Sequence, residues 1–296
     1  MSMINIAIEV PKYLPHMQHK DPISMGLEPI DRRNWIEPDE HYPRYLEHKL
    51  LLKELQQQHI FDALPSAYVA QQELAFELKR HLLDQHSHLY CPVADGLSYL
   101  PNGIELAAAN THPLWQASLW VADDLLIMQK LDGHYCLTAA SLCSPSSWHL
   151  AEKIGQPMAR IHDPVPTIHQ KLTPKIDRFF DYLTVEKPIQ RFNWSLQANT
   201  QLAQLPEDKV IHAANTPLYY RCERQTLTRL PQTNAIAFTI RVYIYPMMNL
   251  TQVPHALTQL KTVISSMPKA VATYKEIIYF APALQKYFSD LSSLKG

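Results

Sequence analysis

The sequence predicts an α+β fold in which helices cover one face of a five-stranded antiparallel sheet, with helical extensions at both ends. Two observations support this. Two apolar, β-prone runs flank Asp132-Gly133, a dipeptide suited to the positive φ angles of a type I′ hairpin turn. The runs 218–230 and 235–245 indicate a second hairpin. Strands joined by short turns must be antiparallel, which excludes a doubly wound parallel sheet.

Two helices are expected between these hairpins. In the first, Ser144 is a plausible N-cap, Pro145 occupies the first helical position and Gly155 ends the helix. The second opens at Thr173-Pro174, and the strand-like run 190–196 follows it. The resulting order of two strands, two helices and three strands is that of a PAS domain, so we expect a PAS-like core.

The flanking segments differ in character from this core. An arm rich in proline and charge leads to helical patterns beginning near Tyr42 and Pro65, and the tail shows two or three short helices. We therefore expect one compact unit in three parts. These are an N-terminal arm and helical extension (1–110), the PAS-like core (111–250) and C-terminal helices that pack on it (251–296).

Composition excludes several classes of protein. The 296 residues carry 27 Lys and Arg against 28 Asp and Glu, so no basic excess favours nucleic acid or an anionic membrane. No signal peptide is visible and no apolar run approaches the ~20 residues of a membrane helix. These features predict a cytoplasmic protein.

Glycine and cysteine limit the cofactors that this chain can bind by itself. Its six glycines are not clustered, whereas dinucleotide and P-loop sites need clustered glycines so that backbone amides can approach phosphates. Its four cysteines form no C-x-x-C pair, which predicts buried, reduced thiols. We therefore expect no NAD, FAD, ATP or iron-sulfur site within the chain.

The strand "RCERQTLTRL" carries more charge than a covered sheet tolerates without pairing. Alternation places Arg221 and Glu223 on one face and Arg224 on the other, while Arg241 of the next strand shares a face with Thr239. Two interpretations remain open. The charges form an internal Arg-Glu ion pair, or guanidinium groups line a polarised pocket that receives an anion.

Two further motifs have competing interpretations. His162 lies in "RIHDPVP", where two prolines stiffen the backbone, so it is either a hydrogen-bonded structural residue or a metal ligand. Ser146 and Ser147 lie close to His149 and could indicate a nucleophile. Helix capping accounts for these serines better.

Several stretches together resemble one family, the haem-dependent oxidative N-demethylases. They are "WIEPDEHY", "LWVADDLLIM", "SPSSWHLAEKIGQPMARIHDPVP", "RFNWSL" and "RCERQTLTRLPQTNAIAFTIRVY", which span roughly residues 35 to 245 in the right order. One position departs from the pattern. A glutamate is expected before the aspartate of "VADDL", and Asp123 keeps the charge on a shorter side chain.

The resemblance implies a PAS-like domain that binds haem b and activates oxygen as a monooxygenase-type N-demethylase. Its substrates would be small secondary amines such as dimethylamine, oxidised to a primary amine and formaldehyde. Electrons would come from NADPH through partner reductase subunits that carry FMN and a 2Fe-2S cluster, and tetrahydrofolate in a partner can capture the formaldehyde. The alternative is a haem-binding PAS-type gas or redox sensor, or an inactive binding module.

The resemblance also implies roles for individual residues. His162 becomes the expected axial iron ligand, ahead of His169. Arg224 or Arg221 would stabilise negative charge developing on oxygen, and Glu223 would hold the substrate ammonium. Because Arg224 and Glu223 lie on opposite faces of a regular strand, both reach one pocket only if a bulge or twist intervenes. The remaining expected cofactor-binding residues are Lys153, Arg160, Trp194 and Arg241.

Overall fold

The computed structural model describes residues 9–19, 21–55, 60–94, 96–106, 112–161 and 173–293. Its strands are β1 (Glu28–Pro29), β2 (Phe61–Ala63), β3 (Tyr90–Val93), β4 (Gly96–Tyr99), β5 (Ile104–Leu106), β6 (Asp124–Leu131), β7 (His134–Ser141), β8 (Ile189–Gln197), β9 (Tyr219–Arg229) and β10 (Ile236–Pro246). Its α-helices are α1 (Pro15–Gln18), α2 (Tyr42–Glu54), α3 (Tyr68–Gln85), α4 (Pro113–Ser118), α5 (Met158–Ile161), α6 (Thr173–Asp181), α7 (Ala256–Ser265), α8 (Lys269–Tyr274) and α9 (Ala281–Ser293). Short 3₁₀ turns occupy Arg32–Asn34, Pro65–Ala67, Leu150–Glu152, Pro206–Asp208, Met247–Gln252 and Ile277–Phe280.

The predicted α+β class with a large antiparallel sheet is confirmed, but the strand count is not. The main sheet has seven strands in the order β1-β8-β9-β10-β6-β7-β2, and β3, β4 and β5 form a separate small sheet. The two additional strands come from the N-terminal extension, where β1 pairs with β8 and β2 pairs with β7. They cover backbone groups that the edge strands of a five-stranded sheet would leave open. Segments of two and three residues are too short to show a strand pattern.

Both predicted hairpins are present. Asp132 and Gly133 have φ angles of 49° and 86°, as the turn between β6 and β7 requires. β9 and β10 pair over eleven consecutive residues without a shift in register. Helix α3 holds their turn, because the Glu73 carboxylate accepts the backbone N–H groups of Gln232 and Thr233 at 2.6 and 2.8 Å.

The register defines two faces of the sheet, which we name after one residue each. The Glu223 face carries, among others, Arg191, Asn193, Arg221, Glu223, Gln225, Phe238, Val242 and Ile244. The Arg224 face carries, among others, Phe192, Trp194, Tyr220, Cys222, Arg224, Arg241 and Tyr243. The predicted separation of Arg221 and Glu223 from Arg224 is therefore confirmed.

Chain segments pack on both faces of the sheet, and the terminal extensions cover the face opposite the connection between β7 and β8. On the Arg224 face, Tyr45 of α2 stacks under the Arg241 guanidinium, and His16 of α1 bonds to Tyr220. On the Glu223 face, the connection between β7 and β8 provides the cover. The Phe180 carbonyl in α6 accepts a hydrogen bond from Arg229. The N-terminal extension therefore packs across a face of the core.

The helix predicted from Ser144 to Gly155 is absent. The Asp124 carboxylate accepts the backbone N–H groups of Cys143 and Ser144, and the N–H of Ser147 bonds to the Gln204 carbonyl. These bonds hold residues 143–147 in an irregular loop, and only the 3₁₀ turn Leu150–Glu152 follows. Ser144, the predicted N-cap, thus lies in a loop that is hydrogen-bonded to Asp124 and Gln204.

A second hydrophobic cluster joins the Arg224 face to the tail. Trp194 and Tyr220 lie in it together with Leu260 of α7 and Leu284 of α9. Burial of these large side chains holds the tail on the core. Over the described residues, the helices lack the combination of length and apolar character that crossing a bilayer demands.

Candidate functional site

A buried carboxyl group lies at the centre of the Glu223 face. The Glu223 side chain is only 8% exposed, and its Oε1 accepts a hydrogen bond from Arg221 Nε at 3.1 Å. Its Oε2 accepts from Gln225 Nε2 at 3.0 Å and from Asn193 Nδ2 at 3.3 Å. Two donors from β9 itself and one from the neighbouring β8 thus hold the carboxyl group in one orientation.

Arg221 connects this carboxyl group to two loops. Its Nη1 donates to the Leu202 carbonyl and its Nη2 to the Ser144 carbonyl, each at 2.7 Å, in addition to the bond from Nε to Glu223. Each nitrogen of a guanidinium that is 1% exposed therefore already donates within the protein. The internal Arg-Glu pair anticipated from sequence is confirmed for Arg221 and Glu223. Arg221 positions Glu223 and both loops.

Two further cations lie beside Glu223. Lys275, which directly follows α8, is 6% exposed and donates to Asn193 Oδ1 at 2.9 Å and to the Trp194 carbonyl at 2.8 Å. Burial lowers the pKa of Lys275 to about 7, although the nearby Glu223 raises it. Burial also lowers the pKa of Arg191, whose Nε has no hydrogen-bond partner among the residues described. No sequence pattern indicated a role for Lys275, because it lies in the tail, far in sequence from β8 and β9.

Several apolar side chains on the Glu223 face, or on the connection that covers it, are only partly buried. Phe238 and Ile244 project from β10 on the Glu223 face and are half-buried. Ile161 of α5 and Phe179 of α6, from the connection between β7 and β8, are also half-buried against the main core. Half-buried apolar groups around a few directed polar groups are typical of a ligand site. We therefore take this part of the Glu223 face as the candidate site.

Arg224 points to the opposite face and pairs with the N-terminal arm. Its Nη2 donates to the Asn34 carbonyl at 2.5 Å and its Nη1 to the Trp35 carbonyl at 3.2 Å. Its Nε lies 3.5 Å from Glu37 Oε1. β9 pairs in unbroken register with β8 and β10, so no β-bulge or register shift moves the Arg224 side chain to the Glu223 face. The structure does not bring Arg224 and Glu223 together, and one pocket cannot use both as expected.

Arg241 also lies on the Arg224 face. Its Nη2 donates to both carboxylate oxygens of Asp39 at 2.8 Å, and its guanidinium lies 3.8 Å from the centroid of the Tyr45 ring. Its Nε and Nη1 have no partner in the described part of the chain, and neither does Oδ1 of the buried Asp123. Burial raises the pKa of Asp123, while the Arg241 charge opposes the rise. The two charges interact without a direct hydrogen bond.

The other expected site residues are spread over the molecule. Trp194 stacks on Tyr220 on the Arg224 face, with ring centroids 5.7 Å apart. Lys153 ends a 3₁₀ turn, and Arg160 is exposed on α5. His162 and His169 lie outside the described residues. Within the described ranges, His, Cys, Asp and Glu side chains do not gather in groups of three or more that could hold a metal ion.

Comparison with protein families gives one match over this architecture. A family model described as "Haem-dependent oxidative N-demethylase, alpha subunit-like" matches residues 26–285. The match takes in the N-terminal extension, the sheet with both of its faces, and most of the tail. That description names a haem-dependent oxidative enzyme and one subunit of a larger assembly. Because the match covers nearly the whole sequence, the chain belongs to the haem-dependent oxidative N-demethylase, alpha subunit-like family.

Proposed function

We propose that this chain is the haem-binding, oxygen-activating subunit of a monooxygenase-type enzyme that demethylates a small secondary amine such as dimethylamine. Family membership supports the reaction class. The observation that carries the substrate is Glu223, a buried carboxyl group held by three donors beside half-buried apolar side chains. A small alkylammonium needs one directed anion and an apolar surrounding for its methyl groups.

The reaction balances only if a partner supplies electrons. Dioxygen takes up four electrons in all, two from the methyl group that is oxidised and two from the partner. With two protons, the products are a primary amine, formaldehyde and water, and the N–CH₃ bond breaks. We place the electron source on a reductase subunit with FMN and a 2Fe-2S cluster, fed by NADPH. The family's subunit description supports a partner of this kind.

Partly buried apolar side chains support a haem on the Glu223 face. A flat apolar macrocycle needs an apolar cleft, and Ile161, Phe179, Phe238 and Ile244 offer partly uncovered surface. His162, which directly follows α5 in the sequence, would hold the iron, and Lys153 and Arg160 of the same connection would meet the propionates. When bound, the haem supplies the redox chemistry of dioxygen activation. The inner strand order β7-β6-β10-β9-β8 supports the PAS-like interpretation of this core.

The chain's own residues bind and orient the amine. Glu223 would accept a hydrogen bond from the substrate ammonium and hold the proton that the nitrogen gives up. Arg221 would keep the carboxyl group in place through its bonds to two loops. The apolar side chains exclude water, which strengthens the interaction between carboxylate and ammonium. We place Arg224, Arg241 and Trp194 outside the amine site because they project from the other face.

Spectroscopy and product detection test this function. The purified chain, supplied with haem, should show a Soret band, and with dimethylamine and a chemical reductant it should release formaldehyde. His162→Ala should change the haem spectrum, whereas His149→Ala serves as a matched control on the same connection. Absence of a Soret band after reconstitution would refute the proposal. A Soret band with dioxygen binding but no formaldehyde would favour the sensor or inactive binding module.

A further inference from the structure

The tail contributes one side chain to the Glu223 network, and it does so through an asparagine. Lys275 Nζ donates to Asn193 Oδ1 at 2.9 Å, and Asn193 Nδ2 donates to Glu223 Oε2 at 3.3 Å. Lys275 is fixed from a second direction by the Trp194 carbonyl at 2.8 Å and lies 5.0 Å from the Trp194 ring centroid. A continuous chain of hydrogen bonds therefore joins the tail to the carboxyl group.

The direction of these bonds determines how the asparagine is oriented. An amide presents its oxygen on one side and its NH₂ group on the other. A charged Lys275 ammonium donates hydrogen bonds but cannot accept them. It therefore requires the acceptor Asn193 Oδ1 on its own side, and this turns Asn193 Nδ2 towards Glu223. The flipped amide would place its oxygen against the Glu223 carboxylate and leave two acceptors facing each other. Lys275 therefore selects one of the two amide orientations.

The charges around Lys275 come from three segments of the chain. Glu223 of β9 and Asp21 of the N-terminal arm favour the charged ammonium, whereas Arg191 of β8 disfavours it. Cys222 of β9 is also close, but burial raises the pKa of its thiol well above the usual range, so it stays uncharged near neutral pH. Burial is the largest effect and lowers the pKa of Lys275 to about 7. Both protonation states are therefore populated near neutral pH. A small dialkylammonium keeps its proton throughout that range, so a charged Lys275 is a second cation beside Glu223 that repels the substrate, whereas a neutral Lys275 is not.

We infer that Lys275 is a positioning residue for the amine: through Asn193 it orients Glu223, and its charge opposes that of the bound ammonium. The inference rests on the proposed function, because Glu223 must be the group that meets the substrate. Amine affinity should then rise as Lys275 loses its proton. The tail becomes part of the site although none of its residues projects from the sheet.

The test compares Lys275→Met and Lys275→Arg with the wild type, and uses exposed Lys286→Met as a control. Dimethylamine affinity, measured by the shift of the haem spectrum, should increase about fivefold from pH 6 to pH 8 in the wild type and in Lys286→Met. It should be independent of pH in both Lys275 variants. Lys275→Arg keeps a donor to Asn193 if Lys275→Met fails to fold. An unchanged pH dependence in the Lys275 variants would overturn the inference.

A second measurement needs neither haem nor amine. In the haem-free protein, the side-chain amide resonances of Asn193 should titrate with a midpoint near pH 7, and that titration should vanish in Lys275→Arg. If dimethylamine fails to bind the wild type at any pH, the proposed function fails, and the Asn193 titration alone decides the positioning role. An Asn193 amide that does not respond to pH, or responds equally in Lys275→Arg, would overturn it.

Discussion

The two faces of the sheet hold buried charge in different ways. On the Arg224 face, Arg224 and Arg241 pair with acceptors of the N-terminal arm, including the Asn34 carbonyl and the Asp39 carboxylate. On the Glu223 face, the carboxyl group is held mainly by donors from β8 and β9. The first arrangement joins distant segments, and the second orients an acceptor beside half-buried apolar groups. A buried charge therefore does not by itself identify a functional site. The two faces differ in which part of the chain supplies the partners of their buried charges.

Removal of a charge on the Arg224 face should have the largest effect, and it should act on stability. Arg224→Met leaves the carbonyls of Asn34 and Trp35 without a donor and Glu37 without its guanidinium. We expect the free energy of unfolding to fall by roughly 3–5 kcal/mol, measured by urea denaturation. Turnover per folded molecule should stay within about threefold of the wild type. A stable Arg224→Met protein that is inactive would move Arg224 into the site.

The same face should also limit stability in acid. Burial lowers the pKa of His16 to about 4, although its bond to the Ala256 carbonyl opposes the shift. In the unfolded chain His16 takes up a proton near pH 6.5, but in the folded protein it does so only near pH 4. The stability that the neutral, buried His16 contributes is therefore fully present above pH 6.5 and is lost as the pH falls towards 4. The loss should reach up to about 3 kcal/mol. Urea denaturation at pH 7 and pH 4.5 measures this loss of unfolding free energy. His16→Gln should make the loss smaller, whereas the control His134→Gln, at an exposed position, should leave it unchanged.

On the Glu223 face the expected effect is on catalysis. Glu223→Gln preserves the shape of the side chain but removes the charge that would meet the ammonium. Amine kcat/KM should fall by about a hundredfold, or about 2.7 kcal/mol, while haem content changes little. Steady-state formaldehyde release and the Soret absorbance measure the two quantities on one sample. Equal loss of haem and turnover would indicate that Glu223 is only the partner of Arg221.

The smallest expected effect is a gain in stability on the Arg224 face. Asp123 Oδ1 and the Nε and Nη1 of Arg241 are buried without hydrogen-bond partners among the described residues, although their charges interact. Asp123→Glu lengthens the side chain by one methylene and should let the pair form. We expect stabilisation by about 1 kcal/mol in urea denaturation. The control Asp123→Asn should not increase the free energy of unfolding. Destabilisation by Asp123→Glu would show that the surrounding packing leaves no room for the added methylene group.

Local sequence patterns predicted the elements better than their partners. Alternation along β9 and the turn at Asp132-Gly133 depend on neighbouring residues, so the strand faces and the hairpin were predicted correctly. The helix expected from Ser144 failed because bonds to Asp124, twenty residues earlier, and to Gln204 hold residues 143–147 in an irregular loop. Asp39 and Lys275 were missed for the same physical reason. Their roles depend on tertiary contacts that no local spacing reports.

The bonds between Arg224 and Asn34 and between Arg241 and Asp39 join residues 190 and 202 positions apart. During synthesis the arm leaves the ribosome first and must wait for β9 and β10 before its partners exist. Closing a loop of this length costs little more free energy than closing a shorter one, but high contact order slows folding. The arm therefore docks late, and until then two arginines on the sheet lack their acceptors. Folding intermediates of this chain should be recognisable by protease cleavage within the first forty residues.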